Sequence, residues 1–201
     1  MNTKILSRLF CKFIFFITFS IFFSVSLSFS ENNSSLSVDE GDECYYYLGL
    51  NEPPAKWNTI GFKKEGKEWR KAQTGIGYGD QRARTYLREM KGNYDSIYSI
   101  NDLHLSKADY ELLQKNSTKL TITITCDGAF KVWLNGAEVI RSHRQRIASV
   151  QEMQHGIDIE STSLAREVMH IGQNILSAQC SNDRLDSENF LFIPALKITG
   201  E

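Results

Sequence analysis

The sequence predicts an all-β sandwich built as one domain. Three observations carry that expectation. Short β-type segments alternate with turn signals from Tyr45 onward, Leu120 to Ile124 alternates apolar residues with threonines, and Asn135-Gly136 closes the most pronounced hairpin pattern in the chain.

Taken in order, YYYLGL from Tyr45 is the first strand. In NEPPAKWN the paired prolines deny regular ladder bonds and demand a loop. GFKKEGKEW is polar with buried-type aromatics at Phe62 and Trp69, and TGIGYGD reads as a glycine-rich turn. QRARTYLREM has helical spacing at Ala83, Tyr86, Leu87 and Met90, whereas SIYSIND alternates as a strand. SKADYELLQKN reads as a short helix, in which Ser106 caps, Asp109 answers three residues later, and Leu112 and Leu113 supply an apolar face.

In KLTITITCDGAFKVWLNGAEVI, Leu120, Ile122 and Ile124 place one strand face toward a core and leave the threonines for water. The strand stops at Cys126-Asp127-Gly128. Phe130, Val132 and Leu134 then share one face of the next strand, opposite Lys131 and Trp133. Asn135-Gly136 suits a type I′ turn, which needs positive φ at both central positions. STSLAREVMHIG reads as a second helix, with Leu164, Val168 and Met169 at helical spacing and Gly172 to end it. NILSAQCSN is a further strand, and FLFIPALKITG closes the domain with a Pro194 that suggests an edge or a bulge.

At the N-terminus, Lys4, Arg8 and Lys12 precede an uncharged apolar run from Phe13 to Phe29. This is the layout of a secretory signal peptide over residues 1 to 30, with Ser28 and Ser30 as the small residues a signal peptidase reads. The alternative is a retained membrane anchor, although the run is at the short end of the roughly 17–25 residues that span a bilayer. Residues 31 to 43 read as a flexible polar segment, and 44 to 201 as the domain. A secreted, periplasmic or cell-surface location follows, with no stable membrane span after cleavage. The leader takes basic residues and no acidic ones, so the remaining chain is mildly acidic and does not suit nucleic acid, which needs basic surface. Cys44, Cys126 and Cys180 then allow one disulfide with three possible pairings. No Cys/His spacing supports zinc.

EPPAKWN, Phe62 and Trp69, Gly75 to Asp80, SIYSI, Asp127 to Arg141, and His170 to Asn182 follow one another as landmarks. On these the chain resembles the galactose-binding-like jelly-roll domain of bacterial secreted and surface proteins, related in layout to the sugar-binding domain of β-galactosidase-type glycoside hydrolases. The resemblance covers nearly all of residues 44 to 199 and implies a galactose-binding-like jelly-roll β-sandwich with one or two short helices. It also makes the QRARTYLREM stretch extended. Relatives carry an acidic residue where this chain has Cys126, and a His or Asn close to Cys180. With Asn174 to Cys180 antiparallel beside Ala129 to Asn135, as the resemblance implies, Cys180 falls near Cys126. A Cys126–Cys180 disulfide is therefore expected, the alternative being two separately buried thiols.

Nothing in the chain favours an enzyme. No G-x-S-x-G elbow is present, and His104, His143, His155 and His170 lie in separate segments without HExxH or HxH spacing. Gly75-Ile-Gly-Tyr-Gly lacks the third-glycine spacing of a dinucleotide loop. No paired carboxylates stand out as a hydrolase dyad. Carbohydrate binding suits the residues better, because sugar C–H faces stack on Trp or Tyr while Asp, Asn and Arg bond hydroxyls. The candidate ligand-binding residues are Tyr78, Asp80, Trp133 and Arg141, with Trp57, Trp69 and Asn182 beside them; core packing is the competing reading of the aromatics. No cofactor is implied beyond a structural Ca²⁺, which would use backbone carbonyls with Asp80 or Asp127. Asn32, Asn33 and Asn116 sit in N-x-[ST] sequons, meaningful only in a host that glycosylates. The partner is thus carbohydrate or a surface polymer, or alternatively an envelope protein docked by a structural module.

Overall fold

The computed structural model describes residues 36–143 and 147–200. The expected leader over residues 1 to 30 and the sequons at Asn32 and Asn33 lie outside the described residues. The described strands are β1 (Ser37–Val38), β2 (Glu43–Leu48), β3 (Trp69–Gln73), β4 (Ile76–Tyr78), β5 (Thr85–Tyr86), β6 (Ser96–Leu105), β7 (Lys119–Cys126), β8 (Phe130–Leu134), β9 (Ala137–Arg141), β10 (Ile157–Glu160), β11 (Gly172–Ser181) and β12 (Phe190–Thr199). Three short helices, α1 (Lys107–Leu113), α2 (Val150–His155) and α3 (Thr162–Val168), connect them. One sheet runs β10-β7-β12-β4-β5, with β1 also on β12; the other runs β3-β2-β6-β11-β8-β9. The two pack face to face as a β-sandwich.

Strand alternation explains the core between the sheets. Leu120, Ile122 and Ile124 from β7, Phe130, Val132 and Leu134 from β8, and Phe190, Phe192, Leu196 and Ile198 from β12 are all buried in it. The polar tether expected up to residue 43 begins its structured course earlier, because Leu36 and Val38 are buried in the same core and β1 pairs with β12. The second β-sheet also buries its outer face. There the loop 49–68 folds back so that Trp57 packs with Tyr47, Trp69, Tyr98, Ile100 and Ile175, a separate aromatic core.

The hairpin forms as the turn chemistry requires. Asn135 has φ 52° and Gly136 φ 90°, the pair of positive values of a type I′ turn. Asn135 also ties the turn to β11: its side-chain Nδ2 donates to Val168 O and Asn174 Oδ1, and its Oδ1 accepts from Ile175 N, each at 2.8 Å. Helix α1 carries the expected capping box, with Ser106 Oγ accepting from Asp109 N at 3.1 Å and Asp109 Oδ2 accepting from Ser106 N at 3.3 Å. Helix α3 buries Thr162 and Ala165 while Leu164 stays half-buried, and Gly172 opens β11 rather than ending the helix.

Two segments differ from their local reading. TGIGYGD holds the fully buried strand β4, where Gly77 lies so close to β12 that an added Cβ would stand 2.0 Å from Phe190 O. QRARTYLREM forms no helix, because Arg84 N and Thr85 N donate to Gly75 O and Leu87 N donates to Gly77 O. Those N–H groups join a parallel β4–β5 pairing instead of a helical ladder, so the extended course that the resemblance implied is limited to Thr85–Tyr86, with turns on either side. Helix α2 is one more than expected. It carries a Ser149–Glu152 capping box but buries no residue, so it has no apolar stripe to betray it in the sequence. Pro194 pairs opposite Ile124, and on its other side it falls in the gap between β4 and β1, so no bond to that side is lost.

Strand β11 runs antiparallel beside β8 with Cys180 opposite Phe130. That register carries Cys180 to Cys126, and the two form a disulfide with a Cα–Cα distance of 5.8 Å. It joins β7 of one sheet to β11 of the other. Cys44 is a buried free thiol. Burial, with a smaller push from Glu43, raises its pKa to about 12, so it stays protonated.

Candidate functional site

On the outer face of the second sheet, strand register lines side chains into a row. Trp69 pairs with Tyr47, Tyr47 with Tyr98, Tyr98 with Gln179, Gln179 with Lys131, and Lys131 with Arg141. The first three belong to the aromatic core under the loop 49–68. The last three lie beyond its cover and line a cleft of about 390 Å³, within the roughly 300–1,000 Å³ of small-ligand sites. Its remaining polar lining comes from Glu52 of the loop, Asp95 before β6, Ser142 after β9, and Ser181, Asn182 and Asp183 at the end of β11.

Hydrogen bonds hold this lining in place. Tyr98 Oη donates to Glu52 Oε2 at 3.0 Å, and Gln179 Nε2 donates to Tyr98 Oη at 3.3 Å. Arg141 Nη2 lies 2.6 Å from Glu138 Oε2, and its Nε 3.1 Å from Glu138 Oε1, a two-point pair on the exposed rim. Asn182 is buried; its Nδ2 donates to Tyr78 Oη at 3.2 Å and its Oδ1 accepts from Asp183 N at 2.9 Å.

Of the four residues singled out from sequence, Arg141 lines the cleft and the others lie elsewhere. Tyr78 is in the main core, stacked on Phe190 at 6.4 Å with its hydroxyl donating to Ser187 O at 3.0 Å. It reaches the cleft only through Asn182. Asp80 is bound to Arg82, accepting from its backbone N at 2.8 Å and pairing with Nη2 at 3.2 Å. Burial would raise the Asp80 carboxyl, but the hydrogen bonds and charge of Arg82 outweigh it and hold it below its ordinary value. Trp133 is half-buried at the border of the aromatic core, 5.4 Å from the Trp57 ring. Trp57 and Trp69 are buried and stack on each other at 5.8 Å, which is packing. Gln179, Lys131, Glu52, Asp95 and Asp183 were not singled out. Alternation does turn Lys131 outward, but the row that joins it to Gln179 exists only through register.

Asp127 follows the end of β7. Burial pushes its carboxyl up to about 6, opposed by the Leu191 N–H it accepts at 2.8 Å and reinforced by Asp183 and Asp80. The folded chain therefore takes up this proton at a higher pH than the unfolded one. The burden of the ionised carboxylate is full above pH 6 and disappears as pH falls toward the unfolded value. Asp127→Asn is expected to raise the urea midpoint over wild type at pH 7 to 8, with the gap closing between pH 6 and 4; a constant gap would refute the assignment. Asp80 and Asp127 thus serve Arg82 and Leu191. Among the described residues no group of three or more His, Cys, Asp or Glu could hold a metal ion, and no helix is long and apolar enough to cross a membrane.

No family model and no curated protein matches the chain. Solved structures do. A glycosyl hydrolase family 2 member from Bacteroides cellulosilyticus matches 82% of this chain with TM-score 0.50 and 10% identity, over 21% of its own length. A β-glucuronidase from an uncultured Clostridium sp. matches 84% of the chain and 30% of its own, with TM-score 0.47 and 9% identity. The β-glucuronidase of Bifidobacterium dentium matches 76% of the chain and 21% of its own, with TM-score 0.45 and 16% identity. The chain spans about a fifth of the length of the Bacteroides protein. At this identity the likeness is one of architecture, and the chain has the all-β sandwich that its sequence predicts.

Proposed function

We propose that the chain is a non-catalytic carbohydrate-binding module acting outside the cytoplasm, with its ligand in the cleft over Gln179 and Lys131. The carrying observation is that cleft itself: a concave site of ligand size whose lining is amide, carboxylate, ammonium and guanidinium, held by hydrogen bonds to neighbouring residues. The planar amide, carboxylate and guanidinium groups give directional bonds to sugar hydroxyls, and the ammonium adds a charged donor. The architectural likeness to part of a glycosyl hydrolase is in keeping with this role. Arg141 contacts ligand from the rim, Tyr78 positions Asn182, and Trp133 borders the site. The disulfide and the leader-like N-terminus both favour an oxidising compartment.

A glycan array, followed by calorimetry on its hits, tests the reading. Binding is expected, and Gln179→Ala or Lys131→Ala should weaken it at least about tenfold, roughly 1.4 kcal/mol, while leaving the melting curve unchanged. Absence of binding at high micromolar protein, with and without Ca²⁺, would overturn it. A second reading, docking of an envelope protein, rests on Ile147 and Val150, each 75% exposed. It predicts that Ile147→Ser with Val150→Ser abolishes capture of an envelope partner and spares glycan binding.

A further inference from the structure

We infer that the ligand of this cleft is a charged oligosaccharide carrying both a free amine and a carboxylate; the inference rests on the carbohydrate reading above.

The charges of the cleft are sorted by strand. Glu52 sits on the Tyr98 side, anchored by the tyrosine hydroxyl. Asp95 immediately precedes β6, and Asp183 follows the end of β11, where Asn182 N donates to Asp95 O. These carboxylates form one pole. The other pole is Lys131 on β8, with Arg141 beyond it on β9. Gln179, uncharged, lies between Tyr98 and Lys131. Neighbouring strands are about 4.8 Å apart, so Lys131 stands two spacings, about 10 Å, from the Tyr98 strand, and Arg141 about 14 Å.

The poles differ in how far the protein already neutralises them. Glu138 pairs with Arg141 and also feels the charge of Lys131, which itself makes no ion pair within 4 Å among the described residues. Asp95 accepts a hydrogen bond from Ser96 Oγ, and Asp183 pairs with Arg184 at 3.9 Å. A neutral sugar offers Lys131 and the carboxylates hydroxyls alone, whereas a charged group on the ligand gives charge-assisted hydrogen bonds, roughly twice as strong as neutral ones. A purely anionic glycan would meet the carboxylate pole, and a purely cationic one would meet Lys131. A ligand with an amine toward Asp95 and Asp183 and a carboxylate toward Lys131 satisfies both.

Calorimetry with tetrasaccharide probes tests this: neutral cellotetraose, a glucosamine tetramer, a galacturonate tetramer, and a de-N-acetylated heparosan tetrasaccharide in which glucosamine alternates with glucuronate. The alternating probe is expected to bind at least about tenfold tighter than any of the others, with the advantage shrinking toward roughly 0.5 M salt. Lys131→Gln should reduce it to the level of the glucosamine tetramer. Asp95→Asn with Asp183→Asn should reduce it to the level of the galacturonate tetramer, with circular dichroism confirming that each variant is folded. Equal binding of cellotetraose would overturn the charge assignment and leave the carbohydrate reading standing. Equal binding of either singly charged probe would overturn the two-pole assignment. No binding of any probe, together with a blank glycan array, would overturn both.

Discussion

Replacing Cys126 and Cys180 together by alanine is expected to lower the free energy of unfolding by about 4 kcal/mol. The bond closes a loop with a sequence separation of 54 residues. Removing that constraint from the unfolded chain costs about 4 kcal/mol in the loop-closure model, a large share of the roughly 5–15 kcal/mol that stabilises a typical domain. Urea titration checks it, since the midpoint should fall with little change of slope unless the unfolded chain expands. A loss under about 1 kcal/mol would mean that the unfolded ensemble is compact without the bond. Both sulfurs are buried, so reductant should act slowly on the folded protein. Buried Cys44, held as a thiol, should react with alkylating reagents only on unfolding.

Trp57→Ala should cost about 3–5 kcal/mol, the range for truncating a large buried aromatic. Trp57 is the main contribution of the loop 49–68 to the outer core. Its ring stacks on Trp69 at 5.8 Å and meets Tyr98 and Trp133 edge-on, each at 5.4 Å. Without it the loop loses its hold, and Glu52 loses its place beside Tyr98. The variant should therefore show two deficits, a lower denaturation midpoint and weaker glycan binding, together with loss of the near-ultraviolet dichroism of coupled tryptophans. Trp133→Ala, at the half-buried border of the cluster, should be markedly milder. If the two variants lost equal stability, the loop would not be held as described.

The fold was legible because its signals are local. Alternation over Leu120 to Ile124, the positive-φ pair Asn135-Gly136 and the Ser106–Asp109 box each report on a few consecutive residues. The cleft was not, because it is a product of register. Tyr98, Gln179, Lys131 and Arg141 come from strands far apart in the chain and meet only when β6, β11, β8 and β9 pair as they do. Of these, only Arg141 drew attention. Tyr78 was misplaced for a related reason. GYGD looks like an exposed turn, but Gly77 is there so that β12 can come close, and this draws Tyr78 into the core. Asp80 looked available until its partner, Arg82, was seen two residues away.

The covered half of the cross-strand row has a meaning of its own. Trp69, Tyr47 and Tyr98 form a ready stacking platform continuous with the polar floor at Gln179 and Lys131, and only the reach of the loop 49–68 separates the two. The length of this single loop therefore acts as a ruler for the site. A chain with a shorter loop would present an aromatic groove able to grip a longer polymer, while a longer loop would close the floor altogether, with the sandwich beneath unchanged.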